Sequence, residues 1–186
     1  MPCGCGKKRA GGSVHFMGKD GSQISDADEW GPILWKYLHC LAEKICTSGN
    51  KITDADQANH MEVLLNTLHL IIPCTECQSH AAQYIASNPI PPLKSLSSSE
   101  VHNATRHWLF TFHNVVRTRK GQEIIVHNLD EVSATYAGCF VPNCEYTHFV
   151  QSVAVAVRQG WVRIDNWRKW YSHSERMRIL VGNIVV

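Results

Sequence analysis

From Trp30 onward the chain alternates between apolar positions at helical spacing and short polar breaks. Trp30, Ile33, Leu34, Tyr37, Leu38, Leu41 and Ile45 recur every three or four residues, Pro32 suits a helical first turn, and Thr47-Ser48-Gly49-Asn50 supplies a stop. A second helix is expected to open at Thr53-Asp54-Ala55-Asp56, read as a capping box, with Ala58, Met61, Leu64, Leu65, Leu68, Ile71 and Ile72 as its stripe. Pro73 has no amide hydrogen to continue the ladder and should end or restart that helix. A third helix begins around Cys74, runs to Ser87 and breaks at Asn88-Pro89. After a connector rich in proline and serine, Ser97 and Glu100 form a capping box for a fourth helix. Its stripe is Val101, Ala104, Trp108, Phe112, Val115 and Val116, and it closes near Gly121. Four amphipathic helices with mostly short links predict an all-α fold, a four-helix bundle.

The pattern weakens on either side of this block. Residues 1–24 carry four glycines in the first twelve positions, with Lys7, Lys8 and Arg9 and little apolar content, and read as a flexible arm. Beyond Gly121, Tyr146, Phe149, Val150, Val153 and Val157 fit a helix, yet residues 153–157 fit a strand alternation as well. Trp161, Trp167 and Trp170 lie in a basic aromatic stretch suited to another helix. The expected organisation is therefore an arm over 1–24, a bundle over 25–122 and an additional, mainly helical C-terminal segment over 123–186.

Composition narrows the function classes. A chain of 186 residues, 44% hydrophobic and 18% charged, is that of one soluble globular domain with a modest appendage. The formal charge of +2 is too balanced to make nucleic acid the default partner. The C-terminal residues 151–186 hold six Arg or Lys against Asp165 and Glu175, but a solvated basic face explains them more simply. No apolar run approaches the ~20 residues of a membrane span, and MPCGCGKKRAGG lacks the apolar stretch of a secretory signal.

Eight cysteines alter this picture. They fall as Cys3 and Cys5, Cys40 and Cys46, Cys74 and Cys77, and Cys139 and Cys144, and close pairs without a secretory signal point to metal binding or redox chemistry. Cys74-Thr75-Glu76-Cys77 stands at the start of the third helix, where unpaired amides and the macrodipole favour a thiolate. A reversible disulfide and a zinc site both suit that spacing. His80 and Tyr84 continue the face of Cys77. Trp35 and His39 stand one above the other, away from the core stripe of the first helix, and His113 and Arg117 do the same on the fourth, with Asn114 beside them. Taken alone, Trp35 and His39 fit packing against another element as well as a functional face, and a solvated or satisfied polar face explains His113 and Arg117 more simply.

Taken in series, WGPILWKYLH, PCTECQSH and HWLFTFHN resemble the Erv/ALR family of FAD-linked sulfhydryl oxidases, over roughly Trp30 to Gly121. The small size and the departures described below look most like the members encoded by large cytoplasmic DNA viruses. The resemblance implies a helical bundle that grips a flavin beside the Cys74–Cys77 disulfide, with Cys77 the flavin-proximal sulfur and Cys74 the interchange sulfur. It carries cofactor binding to Gly31, Trp35, His39, Cys77, His80, Tyr84, His113, Asn114 and Val116. Arg117 stands where the family has a second asparagine, and Gln122 where it has a lysine; the planar fork of Arg117, with Arg119 or Lys120, suits the FAD phosphates. Positions that carry a structural disulfide in many members are Phe110 and His127 here, so bundle packing or the C-terminal segment must compensate.

The same resemblance implies the activity. Dithiols of protein substrates pass electrons through the CxxC disulfide to FAD and then to molecular oxygen, giving hydrogen peroxide. It makes Cys3-Gly4-Cys5 a candidate shuttle disulfide, because a mobile dithiol can visit two sites; a metal-binding or incidental pair is the other reading. Cys139 and Cys144 flank a loop able to close on itself, as either a structural disulfide or a second shuttle. Cys40 and Cys46, six residues apart on different faces of one helix, exceed disulfide reach and are expected to be buried or partly buried thiols. No metal is expected. The competing reading is a zinc-binding interaction module built on Cys74, Cys77, His80, Cys139, Cys144 and His148, which leaves Trp35, His39, His113 and Asn114 without a role. A homodimer is implied by the family, with no membrane attachment. The implied location is a viral assembly site in the host cytoplasm or the virion, or otherwise the mitochondrial intermembrane space.

Overall fold

A computed structural model describes residues 27–139 and 143–182. Among the described residues it contains seven α-helices, two short 3-10 turns and no strand. They are α1 (Ala27–Lys44), α2 (Lys51–Asn66), α3 (Thr75–Ser87), α4 (Ser98–Arg119), α5 (Leu129–Tyr136), α6 (Asn143–Arg158) and α7 (Ile164–Leu180). The all-α expectation holds, and the capping box of Ser97 and Glu100 starts α4 as the sequence suggests.

Two local expectations are corrected. The second helix opens earlier than Thr53. Asn50 is its cap, and the Oδ1 atom of Asn50 accepts the amides of Ile52 at 3.0 Å and Thr53 at 3.1 Å. Asp54 is then free for another task. It is only 5% exposed and takes the hydroxyls of Ser48 at 2.6 Å and Ser98 at 2.8 Å, tying the start of α2 to that of α4. The strand alternative for residues 153–157 also fails, because they lie inside α6. Tyr146, Phe149, Ser152, Val153 and Ala156 are the buried positions of that helix, at a spacing only a helix places on one face.

α1 is the centre of the molecule, packed against α4, α5 and α6, while α2 packs against α7. Leu38 and Leu41 are fully buried, and the apolar core runs without a break from α1, α2 and α4 into Phe149, Trp167 and Trp170 of the C-terminal helices. Two polar groups tie this core to the last helix. Trp170 donates its indole N–H to the carbonyl of Leu64 at 3.1 Å, and the Gln57 side-chain amide donates to that of Leu180 at 2.9 Å. Between α1 and α2 the chain turns through Cys46, whose φ of 55° is left-handed and whose amide donates to Gln57 Oε1 at 2.6 Å. Cys40 and Cys46 are both buried thiols, as expected.

The cross-link that Phe110 and His127 cannot form has a polar counterpart. Arg106 of α4 pairs with Glu43 of α1 at 2.6 Å, with little of either side chain exposed. The same guanidinium donates to the carbonyl of Leu129 at 3.1 Å and to the hydroxyl of Ser133, so α1, α4 and α5 meet on one side chain. A buried ion pair stabilises little against an apolar substitute, but loss of one partner strands the other charge.

Candidate active site

The redox-capable element is the start of α3. Cys74, in extended backbone just after Pro73, is the N-cap, and its Sγ accepts the amide of Cys77 at 3.2 Å. Its own amide turns back to the carbonyl of Ile72 at 2.8 Å. Cys74 and Cys77 are joined by a disulfide with 5.2 Å between their Cα atoms. Both sulfurs therefore sit in the first turn of a helix, where the macrodipole favours whichever becomes a thiolate. Gln78 fastens this turn from below, donating to the carbonyls of Ile72 at 2.8 Å and Trp161 at 3.0 Å.

Beside the disulfide lies a cavity of about 770 Å³. α1 contributes Trp30, Gly31 and Trp35, α3 contributes Cys77, His80 and Tyr84, and α4 contributes Asn114, Val116 and Arg119, with Lys120 just past its end. Cys74 is not part of the wall. The two cysteines are thus told apart by position: Cys77 lines the cavity and Cys74 does not. A Cβ added to Gly31 would meet no protein atom within 4 Å, so the space at that glycine belongs to the cavity and not to a neighbouring helix.

The wall is stiffened by ring contacts. Trp35 stacks on His113 with centroids 4.2 Å apart and planes 6° from parallel, and Tyr84 stacks on Phe112 at 4.3 Å. Behind Trp35, His39 Nε2 and His113 Nδ1 lie 3.1 Å apart. Burial lowers the pKa of His39 to about 4, and burial, then its neighbours His39 and Arg117, lower that of His113 to about 3. Both rings are therefore neutral near pH 7. The Nδ1 atom of His39 is buried without a partner, and a bare lone pair costs less there than an unpaired N–H. That assigns the proton to Nε2 of His39, which donates to Nδ1 of His113 and leaves the N–H of His113 on Nε2.

The sequence-predicted positions divide into groups. Gly31, Trp35, Cys77, His80, Tyr84, Asn114 and Val116 line one cavity, together with Arg119 and Lys120. His39 and His113 stand behind that wall. Arg117 does not line it; its Nε donates to the carbonyl of Glu123 at 2.7 Å and closes the turn after α4. Cys3 and Cys5 lie outside the described residues. Cys139 and Cys144 carry no disulfide to each other: Cys144 is exposed on α6, whereas the side chain of Cys139 lies beside that of Cys40 on α1. Among the described residues no three His, Cys, Asp or Glu side chains converge on one point, and Cys74 and Cys77 are bonded to each other, so the zinc-module reading loses its ligand set.

Sequence reasoning missed Tyr136, which stacks on His39 at 4.7 Å and 12° and closes the back of the imidazole pair. A signal existed. Asn128 and Glu131 form a helix-start pair, with Asn128 Oδ1 accepting the amide of Glu131 at 3.0 Å. The helix it starts is only eight residues long and gives too short a periodic stretch to stand out.

Comparison with known proteins places this geometry in a family. Residues 32–136 match the model of the Erv1 / Alr family, a span that ends on Tyr136. The FAD-linked sulfhydryl oxidase of African swine fever virus, isolate Pig/Kenya/KEN-50/1950, is 30% identical over 117 residues, which are 63% of this chain and 87% of the relative. Its counterpart from isolate Tick/Malawi/Lil 20-1/1983 is 34% identical over 97 residues, 52% of this chain and 71% of the relative. No solved structure matches the chain. With over half the chain inside the family match, and with Cys77 of the CxxC, Trp35 and Asn114 lining one cavity, the chain belongs to the Erv1 / Alr family.

Proposed function

We propose that this chain is an FAD-linked sulfhydryl oxidase, forming disulfide bonds in thiol-bearing protein substrates at the expense of dioxygen. One observation carries the reading: Cys77 of the disulfide forms part of the same cavity wall as Trp35 and Tyr84. The residues present fit FAD. The cavity is within the range that takes a cofactor-sized ligand, it has flat aromatic walls and an open cradle at Gly31, and Arg119 and Lys120 offer cations to phosphates. When bound, FAD supplies a two-electron acceptor for thiols and a route from there to dioxygen, which leaves as hydrogen peroxide.

The chain's own residues account for the thiol chemistry. A substrate thiolate attacks Sγ of Cys74, the sulfur outside the cavity wall. The Cys74–Cys77 bond breaks, and Cys77 departs as a thiolate within the first turn of α3, where helix amides stabilise it. A second substrate thiolate then attacks the substrate sulfur of the mixed disulfide and releases Cys74. The substrate has lost two electrons and the pair Cys74 and Cys77 has gained them. Neutral His39 and His113 hold Trp35 in place without adding charge beneath the wall.

In the same proposal Cys3 and Cys5 relay electrons from bulky substrates, two copies of the chain form a homodimer, and the enzyme works at a viral assembly site, in keeping with the viral origin of the relatives. The decisive experiment pairs a visible spectrum with an oxygen electrode. Purified protein should be yellow. Cys77→Ser should stay yellow and lose thiol-dependent oxygen uptake by a factor of about 10³ or more, as expected when a covalent nucleophile is removed. Colourless protein, or a Cys77→Ser variant that still turns over, would overturn the proposal.

A further inference from the structure

We propose that Cys40 and Cys139 form a second disulfide, which fastens the end of α5 to α1 behind the imidazole pair. The two side chains lie beside each other although ninety-nine positions separate them in sequence. Cys40 is completely buried on α1, and Cys139 is half-buried against the core, its amide held by the carbonyl of Tyr136 at 2.9 Å. Just before the two sulfurs, Tyr136 stacks on His39, the residue preceding Cys40. The backbones on both sides are thus held in register by a neighbouring contact, the circumstance in which a cross-link forms with little movement. Cys144, the other cysteine near in sequence, is exposed at the start of α6.

The local charges set the order of events. Lys36, one turn before Cys40 and held by Glu145 at 2.8 Å, favours a thiolate at Cys40, but burial outweighs it. Burial, then the contact with Cys139, pushes the Cys40 thiol well up, so it stays protonated and is a poor first nucleophile. Cys139, the more accessible of the two, reacts first. As a thiolate it attacks one sulfur of a small-molecule disulfide such as oxidised glutathione. One glutathione leaves as a thiolate and takes up the proton that Cys139 lost. Cys40 then gives up its proton and attacks Cys139 Sγ in the mixed disulfide, and the second glutathione leaves and is protonated. Two protein thiols have lost two electrons, and one glutathione disulfide has become two thiols. This cross-link does not depend on the oxidase reading, because the oxidant is external.

The test uses full-length protein in two forms, the wild type and a Cys74→Ser/Cys77→Ser variant without the CxxC disulfide. Each is treated with oxidised glutathione, quenched in acid, alkylated under denaturing conditions without reductant, digested and analysed by mass spectrometry. The expected result in both is a peptide pair joined through Cys40 and Cys139 and two hydrogens lighter than its parts, with Cys144 alkylated. A Cys139–Cys144 link, or alkylation of both Cys40 and Cys139, would overturn the proposal. In the CxxC-less background, oxidation should also raise Tm by roughly 5–10 °C, the order expected for closing a long loop. Adding Cys139→Ser should abolish that gain; an equal rise without Cys139 would overturn it too. Failure of the oxidase reading would leave the cross-link in place, and loss of the cross-link would leave oxygen uptake to be judged separately.

Discussion

Two faces of α1 are rich in aromatic rings, and they have opposite designs. Toward α6 and α7, Tyr37 is buried beside Tyr146 and Trp170, and its hydroxyl lies 2.7 Å from the Ser174 hydroxyl, which is itself 2.6 Å from that of Tyr146. Arg178 covers Tyr146 with its guanidinium 4.3 Å from the ring centre. Every large side chain there meets another part of the same chain. Toward α3 and α4, Trp35 and Tyr84 are only half-buried and border open space. The difference teaches that aromatic content does not by itself mark a site; what marks it is rings whose second side the protein leaves unfilled.

The contrast is broken most severely at Trp170. Trp170→Ala removes a fully buried indole and its hydrogen bond, and should cost about 3–5 kcal/mol of folding stability, read from urea denaturation. Any flavin still bound at low temperature should keep its spectrum. Trp35→Ala should do the reverse, leaving most of the stability and losing the flavin on gel filtration. If the two variants behaved alike, the division between a filled face and an open one would be wrong.

A second, smaller effect sharpens the comparison through pH. The folded imidazoles of His39 and His113 have pKa values of about 4 and about 3, against 6.5 in the unfolded chain. Between those limits the unfolded chain binds protons that the folded chain does not. Stability is therefore complete above pH 6.5 and lost as pH falls toward 4, by roughly 3 kcal/mol for His39 alone. Denaturation midpoints at pH 7.5, 5.5 and 4.5 would read this slope. It should shrink in a His39→Gln/His113→Gln variant, and a slope unchanged by that substitution would show that the pair does not carry it.

The smallest effect belongs to Tyr37→Phe. Ser174 keeps Tyr146 as a partner, so the loss should be about 1 kcal/mol with oxygen uptake unaltered. A larger loss would mean that the three hydroxyls act as a cooperative unit.

Much of this was legible in the sequence because it depends on local spacing. The stripes of α1 and α4 and the placement of Cys74 at a helix start follow from residues within a few turns of each other. Gly31, Trp35, Cys77 and Asn114 could be named as a set only because motifs on three helices resemble one family; no periodicity predicts that α1, α3 and α4 share a cavity. Tyr136 and the Cys40–Cys139 contact were hidden for a related reason. Each joins positions about a hundred residues apart through a short helix with little amphipathic signal. The start of α2 was misplaced because Asn50, Thr53 and Asp54 all suit a cap, and the choice among them rested on a distant partner, Ser98.

Gln78 ties the carbonyl just ahead of the CxxC turn to that of Trp161, in the bend between the last two helices. One carboxamide thus makes the tail of the protein a foundation for its reactive sulfurs. If Cys74 exchanges with substrate as proposed, a deletion that shortens that bend should change the rate of exchange at the CxxC turn.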